Sequence, residues 1–396
     1  MSIASAILVS LAVGSAAQAQ SGPQSGPPRY TVDPTWPKQL PNNWILGQVG
    51  GLSIDQFDHI WVLQRPLSLD TSENGAVQTP QRSQCCVPAP SVLEFDQAGN
   101  VIQAWGGPNY VPDWPATEHG ILVDKRGFVW VGGNGAGDRQ LLKFTNDGKL
   151  VLEIGHKYPA ASAPPENNQD TSILGQVAQF VVDDAANEIY VADGYLNKRV
   201  VVYDTNTGAF KRGWGAYGQP LSSIDNGPSG GEGTGGAGVP YDPNAPVDQQ
   251  FRNPVHCINI SREGYVYVCD RVNDRYQVFT KQGQFLQEVF IRPATLGNGS
   301  VWDIKFSHDP QQRYLLIADG ENNVVWEVQR ATGNIVGSFG HGGHQVGQFH
   351  WVHVGDLDSL GNYYEGEVDV GKRVQRFILQ SPLRDSGADQ QGGASH

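Results

Sequence analysis

The chain reads as an all-β protein, a six-bladed β-propeller, and three observations predict it. One unit recurs six times between residues 51 and 379: an apolar-alternating strand, a Gly or Asn turn, a second strand ending near Asp, a third ending in an aromatic residue, then a turn and a fourth strand. Four short strands per repeat, set in a ring, is the propeller pattern. Composition agrees, since 49 Gly and 25 Pro in 396 residues suit strands and turns, and no useful length of helical periodicity is present. The third observation is registration. His119, His256 and His353 stand at the same place in three copies, each with a turn glycine eight residues later (Gly127, Gly264, Gly361).

The elements follow in order. Residues 2–19 are a short apolar stretch ending in Ala17-Gln18-Ala19, a small-x-small cleavage site, so 1–19 is expected to be a signal peptide and the chain to be secreted or periplasmic. Residues 20–42 form an N-terminal segment in which Tyr30-Thr-Val-Asp-Pro-Thr-Trp36 has spare strand character. The propeller is expected over 43–380. Copy one runs from Gly51 to Gly106, copy two over about 119–155, copy three over 176–215, copy four over 254–290 and copy five over 301–340. Copy six, 351–379, stops after its third strand. The N-terminal segment is therefore expected to supply the fourth and close the ring, which protects both edges. Residues 381–396 read as a disordered tail.

Two insertions, 66–90 and 216–250, fall between strands and read as surface loops over one mouth, with 225–240 balanced between order and disorder. No other segment reads as a membrane span. The net charge of −13 and the absence of a Lys/Arg run argue against nucleic acid as a partner. A monomer is expected. Cys257 and Cys269 fall opposite each other on one hairpin, within disulfide reach, while the adjacent Cys85 and Cys86 are compatible with either a vicinal disulfide or two thiols.

In this repeat the start of the first strand lies beside the end of the second. Arg271 follows the second strand of copy four, fifteen positions after His256, and Arg65 stands fifteen after Gly50 in copy one. Tyr195 holds the comparable spot in copy three. His119, His256, His353, Tyr195, Arg65 and Arg271 are thus expected at one mouth of the channel. The histidines fall in copies two, four and six, and alternate blades of six are related by about 120°. Three neutral imidazoles converging on an axis with an open position form a catalytic zinc shell. The bland alternatives are capping roles for the histidines and pairing of Arg65 or Arg271 with Asp55 or Asp270. His350, three residues from His353, is expected on the opposite strand face, and His341 and His344 sit in a Gly-rich turn.

The strings Val191-Ala-Asp-Gly-Tyr-Leu-Asn-Lys-Arg-Val200 and Asp270-Arg-Val-Asn-Asp-Arg-Tyr-Gln-Val-Phe279 resemble NHL repeats. With His119-Gly-Ile-Leu-Val-Asp124, they resemble more narrowly the peptidyl-α-hydroxyglycine α-amidating lyases, over roughly 43–379. That resemblance implies an NHL-type six-bladed propeller that cleaves a peptide's C-terminal α-hydroxyglycine, or a similar small carbinolamide, to an amide and glyoxylate. It implies Zn2+ held by His119, His256 and His353, Tyr195 as catalytic base, and Arg65 and Arg271 as active-site arginines. The match departs at two points. Val354 stands where the family has a calcium-binding Asp, so calcium is doubtful, although backbone carbonyls at Leu52 and Ile121 match its other contacts. Leu196 replaces a family cysteine. Two other readings compete: a metal-dependent hydrolase or lactonase acting on a small metabolite, and a non-catalytic propeller binding peptide or glycan.

Overall fold

A computed structural model describes residues 26–229 and 238–380. The expected signal peptide, the tail and part of the 225–240 stretch lie outside the described residues. Six four-stranded antiparallel sheets make the blades of a propeller. Blade one is built from Gln48–Ile54, Ile60–Arg65, Val92–Phe95 and Val101–Trp105, and blade three from Val177–Asp183, Glu188–Asp193, Arg199–Asp204 and Phe210–Trp214. Blade six takes Val352–Leu357, Tyr363–Glu367 and Val374–Gln380 from its own copy, and Arg29–Asp33 is its outer strand. Arg29 pairs with Gln380 and Asp33 with Arg376, so the two ends of the propeller close the ring together.

The second strand of each blade lies between two neighbours and is buried on both faces, which explains runs such as Ile60-Trp-Val-Leu63 and Leu315-Leu-Ile-Ala318. Apolar side chains meet between blades rather than in one central core. Trp61, Leu63 and Val92 of blade one pack on Trp114, Val129, Val131 and Leu142 of blade two, and five further clusters repeat that arrangement around the ring. Burying one such side chain stabilises by roughly 1.5–3 kcal/mol. In blades one and two an Asp closes the turn and binds a Trp six residues on: Asp55 accepts from Trp61 Nε1 and Asp124 from Trp130 Nε1, each at 3.1 Å.

Disulfides join Cys257 to Cys269 and Cys85 to Cys86. The first ties the opening two strands of blade four beside His256, and the second resolves the alternative left open at 85–86. Both are compatible with an oxidising compartment. No helix among the described residues is long and apolar enough to cross a membrane. A two-residue parallel pair, Trp44–Ile45 with Val87–Pro88, anchors the end of the first insertion. It is too short for any period to show. Asn226 and Gly227 are held by Asn168 and Glu166, so this part of the second insertion packs on the blade three side.

Candidate metal centre

Each candidate histidine stands second in the first strand of its blade, in Glu118–Val123, Val255–Ile260 and Val352–Leu357. There the ladder to the second strand slips, between Glu118 and Ile121, Val255 and Ile258, and Val352 and Val354. A bulge takes a residue out of the pairing and re-aims its side chain. Gly120 is needed for this: its φ is +80°, and a Cβ there would stand 2.6 Å from the Ala178 carbonyl oxygen. The imidazoles turn to the axis and meet, with ligand atoms within 4.8 Å of one another and only 2–3% of each residue exposed.

At the same repeat position blades one, three and five carry Gly50, Ala178 and Trp302. Two of these supply backbone acceptors. His119 Nδ1–H donates to the Ala178 carbonyl at 2.7 Å, and His256 Nδ1–H to the Trp302 carbonyl at 2.6 Å. A ring that donates through Nδ1 presents a bare lone pair at Nε2. Burial, helped at His119 by Arg65 and at His256 by Arg271, holds both imidazoles well below the usual histidine range and so neutral. Burial and the other two rings do the same for His353. Its Nδ1 is buried with no hydrogen-bond partner among the described residues.

Lone pairs aimed at one buried point repel unless something positive sits between them. Two tetrahedral ligands with bonds of about 2.0 Å stand roughly 3.3 Å apart. The Nε2 atoms of His353 and His119 are 3.1 Å apart. The donor set, its neutrality and its spacing therefore fit a divalent transition metal, and the three-histidine group can hold one.

Tyr195 lies two residues beyond the strand Glu188–Asp193, its N–H donating to the Gln176 carbonyl at 3.1 Å. Its hydroxyl is 3.0 Å from His119 Nε2 and 3.1 Å from His256 Nε2. Arg65 ends the second strand of blade one and donates to the Glu118 carbonyl and Gln48 Oε1, both at 2.8 Å. The Arg271 guanidinium lies 4.4 Å from the Trp302 ring and 5.9 Å from the Tyr195 ring. The acidic partners weighed for the arginines are otherwise engaged: Asp55 with Trp61, and Asp270 with Arg275 at 2.7 Å. A cavity of about 210 Å³ lies over the group, bounded by Arg65, Tyr195, Arg271, Trp302, Trp351 and His353. Larger grooves of about 590, 630 and 780 Å³ lie elsewhere and include none of the three histidines. Volume alone does not locate the site.

Trp302 and Trp351 were not among the sequence candidates. Trp302 was findable, because it fills the histidine register in blade five. His350 needs a correction. Its strand starts only at Val352, so the alternation argument does not reach it. A left-handed Trp351 (φ 51°) intervenes, and His350 binds Asp369 at 3.1 Å. His344 stacks on His350 with centroids 5.2 Å apart.

Beneath the histidines a cavity of only about 10 Å³ is lined by Val354. That is at the lower limit for one water, and Val354 adds no oxygen donor. Close by, where blades three, five and six meet, lies a largely buried cation of the chain's own. Lys305 Nζ is 3.5 Å from Asp303, which also accepts from Gly355 N–H at 2.9 Å and Gln179 Nε2 at 3.1 Å. Asp303 and Asp356 keep Lys305 charged against the cost of its burial.

No family model matches the chain. It is 26% identical over 263 residues to Xenopus laevis peptidyl-glycine alpha-amidating monooxygenase B, covering 65% of this chain and 25% of that protein. It therefore spans about a quarter of the length of that relative. It is 26% identical over 181 residues to Drosophila melanogaster peptidyl-alpha-hydroxyglycine alpha-amidating lyase 1, covering 44% of this chain and 30% of that one. Mouse NHL repeat-containing protein 3 is 26% identical over 309 residues, 74% of this chain and 67% of the relative. A solved streptogramin B lyase structure superposes with a TM-score of 0.50 at 13% identity over 89% of this chain and 98% of that one, a likeness of fold alone. The chain is thus a distant homologue of NHL-repeat proteins and amidating enzymes, and this weak homology suggests an enzyme.

Proposed function

We propose that this is an exported, zinc-dependent carbon–nitrogen lyase that cleaves a peptidyl-α-hydroxyglycine, or a similar small carbinolamide, to an amide and glyoxylate. One observation carries the reading: a phenol hydroxyl within 3.1 Å of two of three converging, neutral imidazoles, beneath a pocket that two guanidiniums border. His119, His256 and His353 are the residues that would hold the zinc, which when bound makes a contacting hydroxyl more acidic. Tyr195 takes the carbinol proton as a phenolate, a form that the nearby Arg271 charge favours. The carbon–nitrogen bonding pair leaves with nitrogen as the carbonyl of glyoxylate forms. Tyr195 returns the proton to that nitrogen, giving the neutral amide. Arg65 and Arg271 hold the substrate carboxylate. The two disulfides and the small-x-small site before Gln20 support export.

The test pairs metal analysis with a glyoxylate assay on α-hydroxyhippurate. We expect one transition metal per chain, and release that stops on chelation and returns with zinc. A purified chain without stoichiometric metal would sink the reading. A metal-loaded chain that releases no glyoxylate would point to another reaction at the same centre.

A further inference from the structure

The cavity over the histidines is small and carries both charged and apolar side chains. At about 210 Å³ it falls below the roughly 300–1,000 Å³ of pockets that take drug-sized ligands. It is bordered by the Arg65 and Arg271 side chains, a pairing suited to a carboxylate. Its accessible apolar lining comes from Trp351 and Val368. Trp302 is locked: it is 1% exposed, its Nε1–H donates to the Gly299 carbonyl at 2.6 Å, and Arg271 covers its ring. Trp351 meets it edge to face with centroids 5.4 Å apart.

The backbone singles out Trp351. Its φ of 51° is a conformation that bulky side chains rarely adopt. It is held there from both sides: its N–H donates to Asn323 Oδ1 at 2.7 Å, and its carbonyl accepts from Val368 N–H at 3.2 Å. Such strain persists where the surroundings over-determine it, and it gathers at ligand clamps. The next rim residue, Asp369, has its carboxylate half exposed and opposes a second negative group on the ligand.

Building on the lyase reading, we infer that Trp351 is a specificity-determining residue. Seated on Trp302, it selects a monoanionic acylglycine-type substrate whose acyl group is flat, apolar and close to the carboxylate, in preference to an extended peptide. The carboxylate goes to the arginine side. The planar acyl group lies along the Trp351 indole, where flat apolar surface is desolvated. A longer chain would run past Asp369 into solvent and add no contact within the pocket.

Three probes that lack the carbinol hydroxyl test this without turnover: hippurate, N-acetylglycine and an uncharged pentapeptide ending in glycine. Their binding to the zinc-loaded full chain is measured by titration calorimetry. We expect hippurate to bind at least tenfold more tightly than N-acetylglycine, and the pentapeptide no more tightly than hippurate. Trp351→Gly accepts the left-handed backbone, and it should bring hippurate down to the N-acetylglycine level. Trp351→Phe should keep most of the preference. Equal affinity for hippurate and N-acetylglycine, an unchanged preference in Trp351→Gly, or a pentapeptide bound tenfold more tightly than hippurate would each overturn the inference. Because no probe can be cleaved, a chain that shows this preference yet releases no glyoxylate would fail the lyase reading alone.

Discussion

The Tyr195 hydroxyl reaches two of the three imidazoles, so removing its single oxygen separates proton transfer from metal holding. We expect Tyr195→Phe to lower kcat by roughly 10²–10⁴, the usual worth of a positioned acid–base group. Metal content should stay at the wild-type level, since three histidines remain. Activity equal to wild type would refute the role, and kcat beside metal stoichiometry decides it. That the six candidate side chains gather at one mouth was legible in the sequence because the repeat fixes a common register. His119, His256 and His353 align without a gap, Arg65 and Arg271 follow at matching offsets, and Tyr195 holds a comparable place just past the second strand of its copy. The acceptors that orient the rings were not legible. They are the carbonyls of Ala178 and Trp302, and a backbone oxygen has no letter in the sequence. Trp351 was hidden for a related reason, since its place depends on a φ of 51° that its residue type disfavours.

At the scale of the strand, the four-strand unit and the closing segment could be read from alternation and from the missing last strand of copy six. The bulges could not, because a slipped register belongs to a pair of strands and neither strand records it alone. The Lys305 network escaped for the same reason. Lys305 and Asp303 share one short strand, while the partners of Asp303 come from blades three and six. That placement makes a prediction. Lys305→Met leaves Asp303 buried at 1% exposure without its cation. Breaking a buried pair in this way costs about 3–5 kcal/mol. Urea unfolding should show that loss, and adding Asp303→Asn to Lys305→Met should recover part of it. A single variant as stable as wild type would mean that the pair does not hold the blades together.

For the whole molecule, buried carboxyls set how stability follows pH. Burial raises Asp274 to about 8, Glu327 to about 7 and Asp319 to about 6, and all three are at most 4% exposed. In the unfolded chain such groups titrate near 4. Between about pH 4 and pH 8 the folded chain therefore keeps protons that the unfolded chain has released, and by linkage stability falls as pH rises through that window. Glu188 and Glu263 act in the opposite sense. Arg212 and Arg330 hold them near 2, so their contribution is present above about pH 4 and fades as pH falls towards 2. The two trends cross near pH 4–5. The net charge of −13 at pH 7 and the isoelectric point near 5.1 push the same way, because self-repulsion grows above that point. Below about pH 6.5 the three neutral histidines of the metal-free site act the other way, because the unfolded chain protonates them and the fold does not. Metal-free protein should accordingly show a Tm that falls from about pH 7 towards pH 8.5. Asp274→Asn should flatten the fall between about pH 4 and pH 8, since an amide keeps the neutral form that burial imposes. A wild-type Tm that is level or rising from pH 7 to pH 8.5 would show that these carboxyls ionise in the fold without cost. Thermal unfolding of both proteins across that range, at fixed ionic strength, distinguishes the titration of particular buried groups from the general repulsion, because only the former disappears with the substitution.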